Sequence, residues 1–410
     1  MMKDRIIAPP GFVRLPLPER DRRWQSIRAE MSLRGVDCLL LNGNSGRWNE
    51  MNANIRYLCD YADPLSGICY ALFPGAGEGT LVTQMPLKRS AREMSWIQDI
   101  RSARTGRLPE IVEERLSALG LVNGTLGLVG MTVRADENIG MPWNHLEGIR
   151  KRLPGLKVID VTDLFFEVRS VKSAVELECL ARSADLVDLA FEAHLETWRP
   201  GMTERQFHAA IVHAMDAAGA EPPTFLLLES GRPYGPWLSQ DPLPTGRVLS
   251  PGDYIVSETS PKWAGYQAQG LQCILLGRPT KEMTELVAYG TEVWHRCTEQ
   301  LRPGKLLAEV EHAADGVIER ARARLGALAD TLQLHVSYAG LGGPDPLARP
   351  PEIVPGQAFM PEIGPTGGRR PEPPPFRLNG GYLVVSTEGA PMHFFGDYPI
   401  ERRLLAAVDA

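Results

Sequence analysis

The chain reads PGDYIVSE over residues 251–258 and PGQAFMPE over residues 355–362. Each copy opens on Pro-Gly, runs through apolar residues and closes on a glutamate at the same offset from the glycine. A second matched pair lies upstream. WRPGMTERQF (198–207) and LRPGKLLAEV (301–310) both read as the end of one helix, a turn and the start of another. The interval from Gly201 to Gly252 equals that from Gly304 to Gly356 to within one residue. Matches in register predict an internal duplication: helix, Arg-Pro-Gly turn, helix, Pro-Gly turn, and a strand ending in glutamate. A pseudo-twofold axis between the halves puts Glu258 and Glu362 at equivalent strand positions, facing each other across one cavity. Two carboxylates held close cannot both ionise freely, so their pKa values split.

The rest of the chain surrounds this α+β half-domain pair with an α/β region. DRRWQSIRAEMSLRG has helical spacing with a glycine stop, VDCLLLNG is a short apolar strand, and GICYALFPG with GTLVTQ reads as a hairpin. TLGLVG, a helical NHLEGIRKRLPG and LKVIDVTDLF continue the alternation. With 410 residues the chain exceeds one ordinary core. We therefore expect an N-terminal domain over 1–165 and a catalytic domain over 166–410. The second opens on a helix through Thr197, with Ser173 and Glu176 as a capping box, followed by a helix capped by Thr203.

Composition narrows the function classes. Apolar content of 43% and charged content of 23% are those of a globular protein. A formal charge of -6 leaves no basic excess for nucleic acid. No apolar run reaches membrane-span length, and the charged, proline-rich start lacks the apolar core of a signal peptide, so a cytoplasmic protein is expected. The six cysteines form no CxxC pair and sit in apolar surroundings, which reads as buried free thiols.

These residues resemble the creatinase/prolidase superfamily, whose members share the pita-bread fold with methionine aminopeptidase and aminopeptidase P. NANIRYLCDYA (52–62), RSVKSAVELE (169–178), RPGMTE, PGDYIV, AGYQAQ and PGQAFMPE carry the resemblance in the family order. It implies an α+β pita-bread catalytic domain behind an α/β creatinase-type N-terminal domain. The family's peptidases hold two metal ions on two Asp, one His and two Glu. Those positions fall here on Glu258, Gln269, Ala339, Glu362 and near Asn379. Two acids, two neutral amides and an alanine supply too little charge for a dinuclear site, so no metal and no cofactor are expected. His335, four positions before Ala339, reads as a strand or loop histidine.

Within the superfamily, creatinase works without metal through a loop histidine, but the matching loop YGPWLSQDPLPTGR has none. Ectoine hydrolase is the nearer resemblance, since there a glutamate stands where the first metal-binding Asp would be. The expectation is a metal-independent hydrolase of a C–N bond in a small nitrogenous zwitterion: a cyclic amidine, amide or guanidino group. The alternatives are a lyase of a sulfonium compound such as dimethylsulfoniopropionate, an Xaa-Pro-type dipeptidase, and a binding protein without turnover.

The candidate catalytic residues are Glu258, as nucleophile or general base, and Glu362, as acid/base or cation anchor. Tyr266 is a candidate donor to developing charge, Gln269 and His393 are candidate substrate contacts, and Asp241 stands in the loop where creatinase has its histidine. Trp237 and Trp263 are candidate aromatic walls, which suit a cationic group. The partners expected are a small-molecule substrate and, by resemblance, a second copy of the chain in a homodimer, with no nucleic acid and no membrane.

Overall fold

The computed structural model describes residues 13–43, 53–62, 69–83, 88–103, 106–131, 141–223, 225–233, 243–338, 352–364, 380–381, 384–385, 393–394 and 398–408. The chain divides into two compact units, one of Gly11–Ser170 and one that begins at Val171 and holds the rest of the described residues. The division falls at the end of a helix, Thr162–Ser170, which the expected boundary at 165 would have cut.

The first unit is a six-stranded mixed sheet: β1 (Cys38–Gly43), β2 (Cys69–Pro74), β3 (Thr80–Thr83), β4 (Asp99–Ser102), β5 (Thr125–Val129) and β6 (Lys157–Asp160), in the order β4-β3-β2-β1-β5-β6. Helices α1 (Leu17–Leu33), α2 (Asn54–Cys59), α3 (Lys88–Met94), α4 (Leu108–Ala118), α5 (Trp143–Arg152) and α6 (Thr162–Ser170) complete it. The hairpin read from GICYALFPG and GTLVTQ is β2–β3, paired antiparallel. Both faces of β1 and β2 are buried, which explains their unbroken apolar runs.

The second unit holds helices α7 (Ala174–Thr197), α8 (Glu204–Ala217), α9 (Lys281–Thr298), α10 (Leu307–His312), α11 (Asp315–Leu325) and α12 (Ile400–Leu404). Its strands are β7 (Leu226–Gly231), β8 (Tyr254–Thr259), β9 (Lys262–Trp263), β10 (Tyr266–Gln267), β11 (Gly270–Leu276), β12 (Leu334–Tyr338), β13 (Ala358–Ile363), β14 (Gly380–Gly381), β15 (Val384–Val385), β16 (His393–Phe394) and β17 (Ala406–Val408). Ser173 and Glu176 form the expected capping box on α7, and Thr203 with Gln206 forms another on α8. Each satisfies two backbone N–H groups that the first turn leaves without partners.

The duplication is visible in the ladder. β8 pairs antiparallel with β7 and β11, and β13 pairs antiparallel with β12 and β14. The two triplets join where Leu271 of β11 pairs with Gly381 of β14. The four glycines of the repeated turns, Gly201, Gly252, Gly304 and Gly356, have φ of 88°, 85°, 84° and 84°. A side chain is strained in that left-handed region, which explains why both halves repeat the glycine. One apolar cluster packs Tyr254 and Val256 with Leu286, Trp294 and Phe359; a second joins Ile255 and Ile274 to Phe207 and Ile211. All six cysteines are buried free thiols.

Candidate active site

Glu258 is the fifth residue of β8 and Glu362 the fifth of β13. Register joins them in one line across the sheet: Leu227, Glu258, Leu271, Gly381, Glu362, His335. Directly paired residues project to the same face, so the two carboxylates share a face. Three strand spacings separate their backbones, about 14 Å on a flat sheet. Both glutamates are half-buried.

The electrostatics follow from that placement. Burial first, and then the charge of Glu362, push the Glu258 carboxyl up to about 7, while a hydrogen bond from Gln269 acts in the opposite sense. Burial also raises Glu362 above the usual carboxylate range. Gln269 precedes β11, and its Nε2 amide donates to Glu258 Oε1. The carboxylate is thus fixed by a neutral donor.

Behind the sheet a buried polar chain holds the same strands. Ser257 and Gln272 pair in the next register position. His194 of α7 reaches both: Nε2 lies 3.2 Å from Ser257 Oγ and Nδ1 lies 3.2 Å from Gln272 Oε1. Complete burial drives the His194 imidazole down to about 3, so it stays neutral. Its ring lies between Phe191 and Phe207. Gln272 Nε2 donates to Tyr398 Oη at 3.0 Å. This network ties α7 to β8 and β11, directly behind Glu258.

The other candidates are placed as follows. Tyr266 is fully buried, and its hydroxyl donates to Glu176 Oε1 at 2.9 Å. That ties the phenol to the α7 capping box, where it serves the core. Trp263 is half-buried and pairs with Tyr266 across a two-residue turn in which Ala264 and Gly265 both have positive φ. This is the backbone of a tight β-hairpin turn. His393 lies in β16, paired with Val385. Trp237, Asp241, Ala339 and Asn379 lie outside the described residues.

His335, read as a strand or loop histidine, pairs with Glu362 and so shares its face. Its Nε2 is buried and has no hydrogen-bond partner among the described residues. The signal that points to it is strand alternation counted back from Glu362, which needs the β12–β13 register that the sequence does not state.

The donor set does not suit the two metal ions of the family's peptidases. Gln269 turns its N–H toward Glu258, so it presents a donor where a metal needs a lone pair. Among the described residues no group of three or more His, Cys, Asp or Glu is arranged to hold a metal. These residues do not fit a dinuclear centre.

The comparisons with known proteins agree with this architecture. Residues 178–365 match metallopeptidase family M24, and residues 23–171 match the creatinase/prolidase N-terminal domain. The chain belongs to the creatinase/prolidase superfamily of pita-bread proteins. It is 23% identical over 183 residues to an Xaa-Pro dipeptidase of Pyrococcus horikoshii, covering 43% of this chain and 50% of that protein. It is 27% identical over 205 residues to the probable dipeptidase PepE of Mycobacterium bovis, covering 49% and 52%. The chain thus spans about half the length of the curated relatives it matches. The X-Pro aminopeptidase of Thermotoga maritima shares the fold with a TM-score of 0.72 at 18% identity, covering 94% of this chain and 99% of that one. The prolidase of Pyrococcus horikoshii gives 0.70 at 19%, covering 93% and 99%. Among the described residues no helix is long and apolar enough to cross a membrane.

Proposed function

We propose that this protein hydrolyses a C–N bond of the amide type in a small peptide-like substrate, with Glu258 and Glu362 as an acid–base pair. The observation that supports this most is the pair itself: two half-buried carboxylates on one register line, with Glu258 held near neutrality. The relatives named as dipeptidases favour the peptide-type alternative over the cyclic amidine put first by the sequence reading. The lyase alternative finds no support among them.

Up to about pH 7 Glu258 keeps its proton, held there by burial and by the charge of Glu362, so the pair offers one protonated and one ionised carboxyl. The ionised member takes a proton from water as the water oxygen attacks the substrate carbonyl carbon. The protonated member gives its proton to the nitrogen as the C–N bond breaks, leaving a carboxylic acid and an amine. The pair again holds one proton, with roles exchanged. His335 pairs with Glu362 across the ladder, which supports it as a candidate donor to the carbonyl oxygen. A second reading has Glu258 attack the carbonyl carbon directly and form a mixed anhydride, the amine leaving with the proton of Glu362, and water then cleaves the anhydride. A single turnover in H2(18)O tests the second reading, because 18O in the Glu258 side chain arises only from water attacking the Glu258 carbonyl of the anhydride.

The test is amine release from a panel of dipeptides, Xaa-Pro included, and simple acyl amides. Release by the wild type with loss in Glu258→Gln and Glu362→Gln supports the proposal. No release above that of the double variant across the panel sinks it. The homodimer is a separate proposal, supported by the family resemblance alone and read directly by sedimentation.

A further inference from the structure

The duplicated sheet is unequal at its own axis. On one side the central position of the line is Leu271, buried to 2% exposure. On the other side the equivalent position, one strand from Glu362 as Leu271 is one strand from Glu258, is Gly381. Gly381 pairs on both edges, with Leu271 and with Glu362. A residue in a two-sided ladder has extended backbone that any residue adopts, so the ladder does not itself call for glycine. Glycine inside a strand weakens it, and commonly marks a place where a ligand or another backbone comes close. A side chain at 381 would project onto the face shared by Glu258 and Glu362, between them.

We propose that Gly381 is the floor of the substrate slot, so that the scissile group lies over its bare backbone between Glu258 and Glu362, with Leu271 as an apolar shelf on the Glu258 side. This rests on the acid–base reading above, and it narrows the substrate class. The group beside Glu258 is apolar, since Leu271 offers no polar atom. The group beside Glu362 is flat or unbranched enough to lie against a strand backbone. Gly381 therefore determines specificity by size, and a bulkier residue closes the slot from the Glu362 side.

The experiment compares wild type, Gly381→Ala and Gly381→Val, with Gly380→Ala as the control, because Gly380 pairs with Ile363 and faces the opposite side. One readout does not need turnover. The folded proteins are treated with a water-soluble carbodiimide and glycine methyl ester, and amide formation at Glu258 and Glu362 is measured by peptide mass spectrometry. Labelling is expected at one or both glutamates in the wild type and the control. A loss of about tenfold is expected in Gly381→Val, with Gly381→Ala intermediate. Circular dichroism melts identify any variant that fails to fold, in which case Gly381→Ala carries the comparison. Equal labelling in a folded Gly381 variant, or no labelling of either glutamate in the wild type, overturns the proposal. The second readout is kcat/KM over amides of increasing bulk. If the wild type cleaves none of them, the acid–base reading fails while the labelling result still decides the slot.

Discussion

Glu258 and Glu362 occupy the same position in two equivalent strands and lie on one register line, with Leu271 and Gly381 between them. The arrangement keeps two carboxylates on one face at a separation fixed by the ladder. The rate of hydrolysis is expected to depend on the singly protonated pair. Activity rises as the first carboxyl ionises and falls as pH passes about 7, the value to which Glu258 is raised. A pH profile of kcat/KM measures this; a rate still climbing through pH 9 contradicts it.

The same shift sets a stability trend. Glu258 holds its proton to about 7 in the folded protein against 4.5 when free, so the native state binds more protons in that window. Stability contributed by the protonated form is complete below 4.5 and declines as pH rises toward 7. Glu258→Gln removes this loss and is expected to stabilise the protein at pH 8 by about 1–3 kcal/mol. Urea melts of both proteins at pH 5 and pH 8 provide the comparison. The gain should appear only at the higher pH.

Gln269 counters the rise by donating to Glu258. Gln269→Leu should therefore move the alkaline limb of the rate profile to higher pH. An unmoved limb in an active variant means the amide does not hold the carboxylate in solution.

Tyr266 is tied to the helix cap through Glu176. Tyr266→Phe is expected to cost about 1–3 kcal/mol in a denaturant melt, for a hydrogen bond to a buried acid. kcat should change by less than about threefold, well short of what removing a general acid or base produces. A hundredfold fall in kcat with little loss of stability would return the phenol to the chemistry.

His194 behaves in the opposite sense to Glu258. Its folded value of about 3 lies below the ordinary 6.5, so the unfolded state binds the extra proton and stability is lost as pH falls through that window. His194→Phe is expected to flatten this acid-side slope in melts between pH 4 and 7. It should also lower the plateau stability above pH 7, because Ser257 and Gln272 lose a partner.

Much of the fold was legible in the sequence because it rests on local chemistry. The repeated Pro-Gly turns need left-handed glycines, and the caps Ser173–Glu176 and Thr203 need only neighbours in sequence. Those signals were enough to place Glu258 and Glu362 in equivalent strands. The connections across the sheet were not legible. Strand β14 is two residues long and carries no alternation to read, yet it supplies Gly381 between the glutamates. The partners of Tyr266 and His335 depend on which helix or strand packs against them, and no spacing along the chain records that. Gln269 was legible as a position and not as a role, because its bond to Glu258 crosses from the start of one strand to the end of another.

The central claim is that a carboxylate pair does the work where the family's peptidases use metal. The most direct measurement is the metal content of the purified protein by elemental mass spectrometry, with amide hydrolysis assayed before and after exhaustive chelation. Metal well below one equivalent and a rate that chelation leaves unchanged are expected. One or two equivalents of metal, with activity lost on chelation and restored by the ion, would contradict the claim.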